Sequence, residues 1–126
     1  MAGSKGSKYY NIFLNYKVWL ENKDSGKNII NDELFSLLQL IEIENSLMSA
    51  SEKFGVSYRK AWGLIIEAEK ELKICLVKRK RGGENGGKSE LSEDGKNLIN
   101  AYNELRTEIN ESIYKITKKF FHSINI

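Results

Sequence analysis

SLMSASEKFGVSYRKAWGLIIEAEKEL, residues 46–72, decides the fold. Two helices fit it with very little chain between them. The first is expected over about residues 48–54. Gly55 suits the positive φ of a tight turn, and Val56 is an apolar plug inside that turn. Ser57 has the short hydroxyl side chain that caps a helix. The second helix carries Tyr58, Ala61, Ile65, Ala68 and Leu72 at spacings of three and four, a buried stripe widened by Trp62 and Ile66. A short helix, a glycine turn and a longer amphipathic helix describe a helix-turn-helix over residues 48–73.

Downstream, ICLVKRK (residues 74–80) has the pattern of a strand and SELS (residues 89–92) that of a returning one. Between them GGENGGKS, residues 82–89, fits G-x-x-x-x-G-K-[ST], the phosphate-cradling loop of nucleotidases. That loop needs a buried apolar strand before it and a helix beginning within its GK[ST]. Here LVKRKR precedes it, and a run of four charges does not end a buried strand. The next helix signal waits until Ser92, and the chain is short for a nucleotidase sheet with a second, acidic strand. A hairpin directly after a helix-turn-helix is instead a wing, here residues 74–91. Lys78, Arg79, Lys80, Arg81 and Lys88 are then expected on DNA phosphates, and Gly82 and Gly83 allow the backbone a close approach. Glu84 and Glu90 oppose this field but are outnumbered. The plainer alternative is a surface hairpin whose basic flank is merely solvated.

Ser92 caps a last helix, with Glu93 and Asp94 at its positive end, predicted over residues 92–121. Leu98, Tyr102, Leu105, Ile109, Ile113, Ile116 and Phe120 follow one another at steps of three and four. That rhythm averages close to the helical repeat, so the stripe stays on one side of a nearly straight helix. It is long for so small a domain, and part of it is expected to pack on another chain.

Towards the N-terminus, NIFLNYKVWLE (residues 11–21) alternates with period two and predicts a strand. NKDSGK is turn chemistry, and residues 28–30 form a short returning strand, giving a strand or hairpin over 11–30. Asn31 caps a helix over 31–44, with Asp32 and Glu33 in its first turn and Leu34, Leu37, Leu38 and Ile41 as its apolar face. Residues 1–8 read as a flexible leader, and residues 9–126 as a single domain. The fold class is thus mainly α with a small β component, a winged helix-turn-helix with a long C-terminal dimerisation helix.

The totals agree with this class. The 126 residues are 40% hydrophobic and 29% charged, with a net charge of +3. The single cysteine, Cys75, excludes an internal disulfide and suggests a reducing compartment. No apolar run approaches the roughly 18 residues that span a bilayer, and the first residues lack the apolar core of a signal peptide. A cytoplasmic location is expected. His122 is the only histidine, and it has no companion that would make a metal site. No catalytic constellation stands out, so neither an enzyme nor a cofactor is expected.

GVSYRKAWGLIIEAEKEL followed by LVKRKRGGENGGKSELSEDGKNLI resembles the N-terminal winged-helix domain of ModE-type molybdate-responsive transcription regulators, relatives of the LysR-type DNA-binding domain. The family pattern is close to G-[VMI]-S-Y-x-x-A-W, then L-V-x-R, a glycine-rich loop, and L-T-x-x-G. It is met by Gly55, Val56, Ser57, Tyr58, Ala61 and Trp62, then Leu76, Val77 and Arg79, residues 82–87, and Leu91, Ser92 and Gly95. The resemblance runs from about Tyr16 to Tyr102 and more loosely along the last helix. Met48 stands where the family usually has a capping serine, and Glu84 and Asn85 where it prefers lysine and glycine. It implies double-stranded DNA as partner, a homodimer held partly by the terminal helix, and a palindromic site. The full-length regulators carry C-terminal molybdate-binding domains; none is expected within residues 1–126, so molybdate sensing does not carry over. The alternative function is a protein-interaction module that has lost sequence-specific DNA binding.

Within the second helix Ser57, Tyr58, Arg59 and Lys60 form the N-terminal end, the part of such a helix that enters a major groove. Arg59 suits a guanine edge or a phosphate, and Lys60 a phosphate. Trp62 is assigned to the core. Gly63 fits either a close approach of DNA or helix packing. Glu67, Lys70 and Glu71 belong to a solvated rear face, and Cys75 is read as a small core residue.

Overall fold

The structure, a computed structural model, describes residues 8–80 and 88–124. It consists of β1 (Leu20–Glu21), β2 (Asn28–Ile30), α1 (Asp32–Glu44), α2 (Leu47–Phe54), α3 (Tyr58–Leu72), β3 (Val77–Lys80), β4 (Lys88–Leu91) and α4 (Glu93–Ile124). The chain falls into two compact units, Trp19–Tyr102 and a second made of Met1–Val18 with Asn103–Ile126. The first turns of α4 therefore belong to one unit and the remainder to the other.

In the Trp19–Tyr102 unit, α1 supplies the centre of the core. Leu34, Leu37, Leu38 and Ile41 are buried together with Phe35, because helical spacing puts them on one face. Asn31 starts the helix, its side chain accepting the Leu34 N–H at 2.9 Å. Asn45 ends it in the left-handed region, φ 54°, which asparagine tolerates better than most residues. Leu47 and Ala50 of α2, Ala61, Ile65 and Ala68 of α3, and Ile99 and Tyr102 of α4 close around α1. The Phe35 and Tyr102 rings lie 5.1 Å apart, and the Tyr102 hydroxyl donates to Asp32 at 3.0 Å.

β3 and β4 pair antiparallel, with Val77 opposite Leu91, Lys78 opposite Glu90, Arg79 opposite Ser89 and Lys80 opposite Lys88. Val77, Ser89 and Leu91 turn inward, whereas Lys78, Arg79 and Lys88 are exposed. Beyond the hairpin, Ser92 joins strand to helix. Its N–H bonds the Leu76 carbonyl at 2.8 Å, its hydroxyl donates to the Cys75 carbonyl, and its Oγ accepts the Gly95 N–H at 2.9 Å. Gly95 is required here, since a Cβ on it would sit 2.4 Å from the Leu76 carbonyl oxygen.

The N-terminal hairpin is much shorter than the alternating pattern suggested. Its ladder holds only Leu20–Glu21 and Asn28–Ile30, and residues 11–17 are exposed without forming a strand. Alternation alone makes no strand without a paired edge along its length, and only Phe13 takes part in an isolated bridge. In the other unit α4 continues to Ile124. There Thr117 and Phe121 are buried, whereas Ile116 (61% exposed) and Phe120 (55%) face outward, one residue off the expected stripe. Residues 9–14 account for the shift: the Tyr9 ring lies 6.4 Å from Phe121, and Ile12, Phe13 and Leu14 line a groove of about 290 Å³ with Ile116, Thr117 and Phe120. The Thr117 Oγ1 is buried without a hydrogen-bond partner among the described residues. Among those residues no helix is long and apolar enough to cross a membrane.

Candidate nucleic-acid interface

The helix-turn-helix is α2, a three-residue turn at 55–57, and α3. Ser46 opens α2, its Oγ accepting the Ser49 N–H at 3.1 Å, so a serine cap stands two places before Met48. Gly55 closes α2 with φ 88°, and its N–H donates to the Ser51 and Glu52 carbonyls. A residue with a Cβ is strained at that φ. Ser57 then caps α3, its Oγ accepting the Lys60 N–H at 3.1 Å.

This cap fixes which side chains the N-terminal end of α3 presents. Ser57, Tyr58, Arg59 and Lys60 are all exposed, while Ala61 and Ile65 on the opposite side are fully buried. Tyr58 and Ile66, read from spacing as part of the buried stripe, instead face out, and Leu72 is only half-buried. The stripe is therefore Ala61, Ile65 and Ala68. Two alanines on that face bring α3 close against its neighbours, leaving the larger residues to the outer side.

Trp62 is not a core residue. It is half-buried, with the Arg79 guanidinium of β3 stacked 4.2 Å from its ring centroid. The indole N–H donates to the Tyr58 hydroxyl at 3.0 Å, and Arg79 Nη2 donates to the same oxygen at 2.8 Å. A shallow cleft of about 560 Å³ opens over Tyr58, Arg59, Trp62, Gly63, Ile66 and Arg79. Gly63 borders it, and nothing lies within 4 Å of where its Cβ would be. Helix packing, one of the two readings of Gly63, is therefore not what demands a glycine.

A second link between α3 and the hairpin is absent from the sequence reading. Glu69 Oε2 accepts the backbone N–H groups of Leu76 at 2.7 Å and Val77 at 3.3 Å. One carboxylate thus holds the start of β3 to the last turn of α3. Only a glutamate seven residues before an apolar pair marked it, and that signal is too common to single out. Glu69→Gln keeps an acceptor but loses the charge assistance; we expect it to cost about 1 kcal/mol in chemical denaturation.

The rear of α3 is not merely solvated either. Lys27, in the turn between β1 and β2, reaches Glu67 at 2.6 Å and Glu71 at 3.5 Å, and Asn22 donates to Glu71 at 2.9 Å. The hydrogen bond from Lys27, and then its charge, hold the Glu67 carboxyl below its ordinary value. Cys75 is exposed rather than in the core, its thiol 3.4 Å from the Val77 carbonyl. It precedes the buried Leu76 and Val77 at the point where the chain leaves α3.

Of the expected contact residues, Ser57, Tyr58, Arg59 and Lys60 form one exposed end of α3, and Arg79 is bound to that end. Lys78 and Lys88 are exposed on the hairpin, with Glu90 opposite Lys78. Lys80 faces Lys88 in the register and ends β3. Arg81, Gly82 and Gly83 lie outside the described residues. Lys88 and Ser89, the last two positions of the nucleotidase-like pattern, begin a β-strand. That arrangement lacks the helix such a loop requires at its GK[ST].

No family model matches the chain. Among curated proteins it is 32% identical over 81 residues to the DNA-binding transcriptional dual regulator ModE of Escherichia coli K12, covering 64% of this chain and 30% of the relative. This segment is ModE-like. The molybdenum transport protein ModE of Azotobacter vinelandii is 28% identical over 90 residues, covering 71% of this chain and 33% of the relative. The ModE regulator of Yersinia pestis is 33% identical over 72 residues, covering 57% and 27%. The chain spans about a third of the length of these ModE relatives. Among solved structures, ArgP from Mycobacterium tuberculosis matches with a TM-score of 0.52 at 15% identity, over 69% of this chain and 31% of that one. At that identity the likeness concerns the fold alone. The ModE-like chain has the winged helix-turn-helix fold, with a long C-terminal helix.

Proposed function

We propose that this chain is a DNA-binding transcription regulator that acts as a homodimer on a palindromic site in double-stranded DNA. The observation that carries the reading is the joined basic surface of α3 and the wing. Arg59 and Lys60 stand at the capped N-terminal end of the helix, and Arg79 ties the exposed side of β3 to Tyr58. The N-terminal residues of such a helix reach base edges in a major groove, while the hairpin lies on adjacent phosphates. The E. coli relative bears the name of a DNA-binding transcriptional regulator, which supports the same reading.

The dimer rests on the apolar surface of the Met1–Val18 and Asn103–Ile126 unit. Ile116 and Phe120 of α4 stay exposed beside Ile12, Phe13 and Leu14, and Tyr114 of the same helix is exposed as well. A contiguous apolar patch is costly to leave in water and marks an interface. Two-fold symmetry in such a dimer calls for a palindromic site.

Salt dependence of DNA binding tests the wing. Lys78→Ala and Lys88→Ala should each weaken binding to all sequences and flatten the slope of log K against log salt by up to about one. Arg59→Ala should alter sequence preference if the guanidinium reads a base. Slopes unchanged in both lysine variants would remove the hairpin from the interface.

A further inference from the structure

The Arg79–Trp62–Tyr58 cluster does more than add one cation to the wing. The indole N–H and the guanidinium N–H are donors only. Both are aimed at the Tyr58 hydroxyl, at 3.0 and 2.8 Å, so this oxygen accepts twice. Its own proton is what remains. Accepting from a cation and a second donor polarises the O–H bond and strengthens it as a donor. Tyr58 is itself exposed, in the first position of α3 after the Ser57 cap, with Arg59 and Lys60 beside it. The Arg79 plane is held from two sides, by the ring of Trp62 and by Tyr58.

From this geometry we propose that Tyr58 is a dedicated hydrogen-bond donor to a phosphodiester oxygen, and that Arg79 is a positioning residue that acts through it. The inference deepens the DNA-binding reading and rests on it. Arg79, expected from sequence to meet phosphate by itself, instead orients the tyrosine and fixes β3 against α3. An anionic oxygen fits the donor, because the surroundings are cationic and a group able only to donate has no lone pair left to meet at this hydroxyl. A stack also explains an arginine at this place: a lysine carries the same charge without a plane to lay on the indole.

The test is a double-mutant cycle on affinity for duplex DNA, using Tyr58→Phe, Arg79→Ala, the double variant and Arg79→Lys. Tyr58→Phe should weaken binding by up to about tenfold, the scale of one lost hydrogen bond. Arg79→Ala should weaken it similarly, the double variant no further, and Arg79→Lys should not restore it. Losses that multiply in the double variant, or full rescue by lysine, would overturn the proposal and make Arg79 an independent phosphate contact. A wild-type chain with no salt-sensitive DNA binding would overturn both this role and the function. A DNA-free readout separates the parts: with Trp19→Phe as background, Trp62 is the only indole among the chain's two tryptophans. Its emission should move to longer wavelength in Arg79→Lys. An unmoved emission would contradict the stack whatever the DNA result.

Discussion

Ile65→Ala should lower the stability of the Trp19–Tyr102 unit by about 2–5 kcal/mol, the usual cost of emptying a filled apolar site. Ile65 is fully buried, and its neighbours on the same face of α3 are Ala61 and Ala68. Neither alanine can swing into the space, so the void persists. Chemical denaturation followed by far-ultraviolet circular dichroism checks this: the midpoint should fall with little change in slope. A loss below about 0.5 kcal/mol, the range of ordinary surface substitutions, would mean that α3 is not seated on α1 through this residue. Because α3 also carries Tyr58, Arg59 and Lys60, DNA affinity in the folded variant should change far less than stability.

Gly95→Ala is the second large effect, and it arises from excess rather than loss. The new Cβ would lie 2.4 Å from the Leu76 carbonyl oxygen, 3.3 Å from its carbon and 3.4 Å from Leu91 Cβ. The obstructing atom is backbone and already accepts the Ser92 N–H, so no side-chain rotation relieves the clash. Either α4 or β3 must move. Overpacking of this kind costs about 1–3 kcal/mol and sometimes more. Here the shift would also disturb Val77, Lys78 and Arg79, so DNA binding should weaken together with stability. Thermal melts paired with gel shifts separate the cases. A stable Gly95→Ala variant with wild-type affinity would contradict the close approach of α4 to the wing.

The contrast between these two positions reflects what spacing makes legible. Caps and turns were readable because single residues determine them: Asn31, Gly55, Ser57 and Ser92 do chemically what their types suggest. The α1 face and the pairing of residues 77–80 with 88–91, close to the strands expected at 74–80 and 89–92, followed from period and from charge. Errors came where a pattern needs a partner. Residues 11–17 alternate, yet among the described residues no strand is paired with them. Ile116 and Phe120 keep helical rhythm, but residues 9–14 cover the neighbouring face and bury Thr117 and Phe121 instead. Trp62 was assigned to the core by size and place, whereas its environment is a guanidinium from a strand far along the chain. The Glu69 link to Leu76 and Val77 was invisible for the same reason. Spacing reports which side a residue takes on its own element, and says little of what another element brings to that side.

The central claim is that the outer face of α3 and the wing bind duplex DNA. Its most direct test is selection of bound sequences from random duplex DNA, followed by gel shift of the enriched pool at two salt concentrations. We predict an enriched palindrome bound more weakly at the higher salt. No enrichment, and no binding that responds to salt, would contradict the claim and point to a partner protein on the same surfaces.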